Sequence, residues 1–227
     1  MRKYICIALS SMIVVGPLAQ ARTQEPYNKD TAVNYARQWV SNTQTLRNSS
    51  FPDLSARSND GGDCTNFVSQ ALRAGGWRNT ATTNTTSDVL WWLTGKADNQ
   101  RSQTWGTAHG FFRHMNGGQE PNVVGNSYES WSRWDSVPGV SGDVSVNYGD
   151  IISVDWKGDG RIDHTMIVTG FRRLPSQMLE PLVSYHSTDR KDLPVSSLQS
   201  LYPNARFYRF GPVNQSLVIQ SYQIRLI

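Results

Sequence analysis

The chain has 227 residues, among them eight tryptophans and nine tyrosines, and a formal net charge of +4. Its basic residues are scattered, whereas a nucleic-acid binder concentrates them on one face, so that class is excluded. The length suits one domain with its own core.

The N-terminus reads as a leader. Arg2 and Lys3 form a short positive region, Tyr4 to Val15 is almost wholly apolar, and Pro17 breaks any helix. Ala19-Gln20-Ala21 supplies small residues at the two positions a signal peptidase reads, so the predicted cut follows Ala21. The apolar run is shorter than the ~20 residues a spanning helix needs, and no small-residue-plus-Cys lipidation site follows it. The expectation is a secreted or periplasmic protein with no stable membrane anchor, in which residues 22–227 form a single domain. Loss of Arg2 and Lys3 brings the net charge to about +2. Cys6 leaves with the leader, and Cys64 is then the one cysteine. Exported proteins usually hold cysteines in disulfide pairs. A solitary thiol there is either buried and inert or kept for its chemistry.

The front half is helical. Ala32, Val33, Ala36, Trp39 and Val40 recur at helical spacing across Thr31 to Ser41, with Asp30 as the expected N-cap. The polar stretch Asn48 to Gly62 reads as a loop. A second helix starts at Asp63 or Cys64 and stops at Gly75-Gly76. Asn79 to Asp88 is a Thr/Asn-rich loop, and the better helix candidate of the middle region is Ser102 to Met115.

From Tyr148 onward the pattern is that of strands. Ile151 to Trp156, Ile162 to Gly170, Leu182 to Ser187, Ala205 to Phe210 and Leu217 to Ile227 are the expected members. Short connections predict an antiparallel meander, and the fold class is α+β, with N-terminal helices packed on a sheet of about five strands. Asp155 to Asp163 faintly resembles a calcium loop, but Lys157 stands at its third position and Met166 where the bidentate glutamate belongs. It reads instead as a hairpin turn, and no metal or other cofactor is expected.

Cys64 falls in the first turn of the second helix, where free N–H groups and the helix dipole favour a thiolate. Phe67, Val68 and Ala71 lie three, four and seven residues on, so the sulfur faces the apolar, sheet-facing side. A nucleophilic cysteine needs a base, usually a histidine held by a third polar group. The chain has His109, His114, His164 and His186. His109 and His114 are five apart, poorly placed for one helical face, and read as structural or groove residues. If the strands bearing His164 and His186 pair symmetrically about Pro175, the two histidines lie opposite each other, about 5 Å apart. His164 is then the base and His186 its orienter. A one-residue slip favours Ser187 instead, and a bend brings in Asp189. Asp63 is the expected helix cap.

Three blocks resemble the bacterial putative amidase domain family. They are Asp63-Cys64-Thr65-Asn66-Phe67-Val68-Ser69-Gln70 with Gly75-Gly76-Trp77, then Tyr148-Gly149-Asp150-Ile151-Ile152 with Asp159-Gly160 and Asp163-His164, and finally Tyr185-His186-Ser187-Thr188-Asp189-Arg190. The resemblance runs from about Tyr27 to Leu198. It implies a papain-like cysteine hydrolase related to cell-wall peptidases and amidases, with Cys64 as nucleophile, His164 as base and His186 as third member. Asp63, Asn66, Trp77 and Asp163 are weaker candidates for substrate or oxyanion contacts. The expected activity is cleavage of an amide through a thioester, on a peptide or a peptidoglycan stem peptide. The alternatives are an amine-accepting acyltransferase of the same fold and a non-catalytic module that binds cell wall or protein. An inhibitor protein is a candidate partner, and the expected state is a monomer.

Overall fold

A computed structural model describes residues 27–57, 62–80, 90–117, 129–131 and 146–212. The expected leader and the expected last strand, Leu217 to Ile227, lie outside the described residues.

Helix α1 spans Lys29–Gln38 and begins earlier than its apolar spacing suggested. The chain is extended at Asn28, whose side chain accepts the Thr31 N–H at 2.8 Å. Asn28, and not Asp30, is therefore the N-cap; Asp30 sits in the first turn, where its charge suits the helix dipole. Helix α2, Cys64–Ala74, is the centre of the molecule. Nine consecutive residues, Cys64 to Leu72, are buried, so this helix is covered on all sides. Its polar members are bonded: Ser69 Oγ donates to the Trp105 carbonyl at 2.9 Å, and Gln70 Oε1 accepts from the Tyr35 hydroxyl at 2.6 Å.

The expected helix Ser102 to Met115 is two helices, α3 (Gln103–Gly106) and α4 (Ala108–Met115). The break falls at Thr107, which is extended and whose hydroxyl caps α4 by accepting the Gly110 N–H. A single 3₁₀ turn, Asp98–Gln100, precedes them.

Among the described residues, six antiparallel strands form one sheet: β1 (Glu129–Trp131), β2 (Ile151–Asp155), β3 (His164–Arg173), β4 (Leu179–Tyr185), β5 (Arg190–Pro194) and β6 (Arg206–Phe210), in the order β1-β6-β2-β3-β4-β5. The meander holds from β2 to β5. After helix α5 (Val195–Leu201) the chain crosses back, and β6 pairs with β2. One sheet face, with Ile151, Ile167, Tyr208 and Phe210, packs on α1, α2 and α4. The other, with Ile152, Met166, Val168, Val183 and Phe207, packs on α5. The molecule is α+β in three layers.

The pairing of β3 with β4 differs from symmetry about Pro175. Ile167 lies opposite Ser184, one residue from the expected Val183, and the register shifts between Val168 and Gly170. A one-residue slip exchanges the faces of a strand's side chains, and here it separates two residues of interest, as described below.

Gly75 sits where α1 meets α2. Its φ of −71° is an ordinary helical value. What its position lacks is space, since an added Cβ would lie 2.5 Å from the Tyr27 ring and 2.9 Å from the Asn28 carbonyl oxygen. Gly75→Ala is expected to cost about 1–3 kcal/mol by overpacking, measured as a lower urea midpoint at unchanged m-value.

Candidate active site

The start of α2 lies against the start of β3. Thr65 Oγ1 donates to Thr165 Oγ1 at 3.1 Å, and Cys64 Sγ lies 3.7 Å from Thr65 Oγ1. The thiol is fully buried. Burial pushes it up from its ordinary value; the Thr65 hydroxyl and the backbone N–H groups of Thr165 and Thr65 pull the other way, and burial prevails. This reverses the thiolate expected from the helix terminus alone. The dipole contributes about 0.3–1 kcal/mol, rarely ~2, whereas desolvating an ion costs several kcal/mol.

His164 opens β3, paired with Val154 of β2. Its ring lies against Trp156 (centroids 5.7 Å apart) and edge-on to Tyr185 (4.6 Å). Tyr185 belongs to the α5 side of the sheet, whereas Thr165 bonds to α2 on the other side. The Cys64 sulfur and the His164 ring thus reach the same end of β3 from opposite faces. Nε2 of His164 is buried with no hydrogen-bond partner among the described residues. With no charge to offset it, burial pulls His164 down to about 4. The pair is a neutral thiol and a neutral imidazole, and not the ion pair that a helix N-terminus suggests.

His186 stands just past β4 on the α2 side, stacked on Phe67 with centroids 4.1 Å apart. Its Nδ1 lies 2.6 Å from Asp63 Oδ2 and its Nε2 lies 2.7 Å from the Trp39 carbonyl oxygen. The carbonyl can only accept. The Asp63 carboxylate also accepts from Leu54 N–H at 3.0 Å and Asn66 Nδ2 at 2.7 Å, and it forms an ion pair with Arg47, whose Nε lies 3.2 Å from Oδ2. Both imidazole nitrogens are therefore engaged by oxygen acceptors. The orienting bond from His186 to His164, expected from the symmetric register, is replaced by these two, because the slip puts the rings on opposite faces.

The remaining sequence candidates divide. Asp63 occupies the N-cap position of α2 but makes no side-chain cap bond, since its oxygens serve the contacts just named. Asn66 is buried, donating to the Pro52 carbonyl and Asp63 and accepting the Trp105 indole N–H at 2.7 Å. Trp77 is 1% exposed and packs edge-on to Trp91 at 5.5 Å within the core. None of these three has a surface to offer a substrate. Asp163 is half-buried at a cleft and accepts the Trp156 N–H at 3.0 Å. Ser187 Oγ accepts the Asp63 N–H at 2.8 Å, and Asp189 binds Arg47 through both oxygens.

That cleft, of roughly 1140 Å³, runs between α3–α4 and the β2–β3 loop. Its walls include Thr107, His109 and Arg113 on one side and Trp156, Asp163 and His164 on the other. Gly62, two residues before Cys64 in the chain, and Ser187 also line it. His109 is thus a groove residue, its Nδ1 accepting the Ile162 N–H, and His114 is a core residue. The β2–β3 loop closes on Asp155, whose carboxylate accepts four N–H groups, from Lys157, Gly158, Asp159 and Gly160. An oxygen pair so engaged holds the turn that delivers His164.

Arg47, Thr165 and Trp156 escaped the sequence reading. Arg47 lies in a polar loop without periodicity, and only the need of a buried Asp63 for a cation signals it. Burial pulls the Arg47 guanidinium down, but the hydrogen bond and charge of Asp189, with the charges of Asp63 and Asp53, outweigh it.

The structure is an α+β domain with a cleft lined by His109 and His164. The chain belongs to the putative amidase domain family, which it matches over residues 26–210, more than four-fifths of its length. The family supports a generic amidase or hydrolase function. No curated protein and no solved structure matches the chain.

His164 also makes a stability prediction. An unfolded histidine gains its proton near pH 6.5, whereas the folded one stays neutral down to about 4. The unfolded state then binds more protons in that window, so this contribution is present above pH 6.5 and is lost as pH falls toward 4. Urea titrations at pH 7.5 and 4.5 are expected to show a loss ~2–3 kcal/mol greater in the wild type than in His164→Gln.

Proposed function

We propose that the protein is an exported, papain-like cysteine hydrolase that cleaves an amide bond in peptidoglycan stem peptides or related peptides. The observation that carries this reading is the buried His164 Nε2, without a hydrogen-bond partner among the described residues, in the wall of a cleft that is also lined by Gly62, two residues before Cys64 in the chain. A buried imidazole without a partner is costly unless something else uses it.

Because burial keeps both groups neutral, the proton leaves the thiol as the sulfur attacks. The S–C bond forms, the carbonyl π electrons move to oxygen, and the S–H proton passes to His164. His164 then protonates the leaving nitrogen as the C–N bond breaks, giving an amine and a Cys64 thioester. Water, deprotonated by His164, attacks the thioester; the acid is released and the thiol recovers its proton. The Cys64 backbone N–H at the start of α2 is the proposed oxyanion donor. Turnover includes a rearrangement at the start of β3 that turns the imidazole toward the sulfur.

The test is incubation of wild type, Cys64→Ala and His164→Ala with purified peptidoglycan and a peptide library, read by mass spectrometry. Products with a newly formed carboxylate are expected from wild type alone, with turnover at least about 10³-fold lower in each variant. Equal product from Cys64→Ala sinks the cysteine mechanism. Amine-linked adducts in place of the free acid identify an acyltransferase, and no product from wild type leaves the binding module.

A further inference from the structure

We infer that the turn after β4, His186 to Asp189, is a positioning clamp on the Gly62–Cys64 segment, with His186 its principal residue. The turn holds Asp63 from several directions. His186 Nδ1 lies 2.6 Å from Asp63 Oδ2, Ser187 Oγ accepts the Asp63 N–H at 2.8 Å, and Asp189 fixes Arg47 at 2.7 and 3.0 Å, whose Nε reaches Asp63 Oδ2 at 3.2 Å. The Ser187 hydroxyl also fills the place beside Gly62 where a Cβ would come within 2.5 Å.

The backbone of the turn points the same way. Ser187 and Thr188 have φ of 64° and 66°, two successive non-glycine residues in the left-handed region. Such a conformation persists only where surrounding contacts impose it, and it gathers at functional sites. Here the imposing contacts run to the residue before the nucleophile. An aspartate at a helix N-cap ordinarily bonds the helix's own N–H groups. Asp63 makes no such bond and gives its carboxylate to the turn and the neighbouring loop. The aim of the Cys64 N–H and sulfur is therefore set from β4 and not by the cap of α2. Ser187 and Thr188 also line the cleft, so the clamp is part of its wall.

This role requires that both His186 nitrogens stay engaged. The groups facing the ring are Asp63, the Trp39 carbonyl and the Phe67 face, with Arg47 beyond Asp63. Asp53 also feels it: the Ser55 hydrogen bond, followed by the charges of Arg47 and His186, holds that carboxyl below its usual range.

The test uses the full chain with His186→Ala, His186→Gln and Ser187→Ala. Its first readout is the rate at which iodoacetamide modifies Cys64 in the folded protein, and its second is kcat, KM and their pH dependence on the peptide that wild type cleaves. A loosened clamp exposes the thiol, so alkylation is expected to rise about tenfold in His186→Ala and several-fold in Ser187→Ala. Misaiming the nucleophile is expected to lower kcat about 10²-fold with KM within about threefold. The limbs of the pH profile stay in place, and His186→Gln, which keeps a donor for Trp39, recovers part of the rate. Alkylation within about twofold of wild type in the folded variants overturns the inference. A displaced acidic limb with unchanged alkylation also overturns it, assigning His186 to His164. The activity readout rests on the cysteine-hydrolase reading. If wild type shows no Cys64-dependent turnover, that reading fails, and the alkylation rates still decide the clamp. Should His186→Ala fail to fold, Ser187→Ala, which removes only a hydroxyl, decides it.

Discussion

The Asp63 carboxylate has no exposed surface, and both oxygens are fully engaged by groups from separate parts of the chain. A lone carboxylate in such a place would cost many kcal/mol. Arg47 supplies the cationic partner, His186 a ring nitrogen at hydrogen-bond distance, and Leu54 and Asn66 neutral donors. The arrangement works only as a whole, since withdrawing one partner leaves a charge buried and underpaired. Its effect is geometric as much as energetic. It fixes the 47–54 loop, the start of α2 and the end of β4 relative to one another, and the candidate nucleophile is the next residue along.

Around that fixed point the electrostatics of the candidate pair are set by burial. A helix N-terminus favours a thiolate, and the Thr165 and Thr65 N–H groups add to that preference, yet full desolvation outweighs them. His164 experiences the same penalty with nothing to oppose it. The resting site is therefore electrically quiet. A buried neutral thiol is also less open to stray oxidants than an exposed thiolate.

The helix carrying Cys64 and four of the six strands are readable in the sequence, because their apolar spacing and glycine stops agree with the final packing. The family is readable in the Asp63-to-Gln70 block. What stays hidden has particular physical causes. Strand β5, Arg-Lys-Asp-Leu-Pro, is an edge strand with every residue only half-buried, so it lacks the alternation that marks a strand. Thr107 both ends one helix and caps the next, which a single apolar period cannot reveal. Symmetry about Pro175 predicts a partner for His164 and misses by one residue, because the outer pairs, such as Arg173 with Leu179, are centred one position later and the bulge takes back only part of that offset. Asp63 sits at a cap position and serves a distant histidine instead, a long-range choice that local propensity does not encode.

The irregularity between Val168 and Gly170 carries a consequence of its own. Thr169 is buried there, its hydroxyl 2.9 Å from Ser184 Oγ and donating to Asp192 at 2.7 Å, so the bulge is anchored to the neighbouring strands. It divides the β3–β4 hairpin into two registers. The outer part, with the turn at 174–178, is separated from the inner part that presents His164, Thr165 and His186. Changes in the length or sequence of that outer turn are absorbed before they reach the base of the hairpin. The bulge thus acts as a mechanical joint between the tip of the hairpin and the frame that sets the facing of the inner residues.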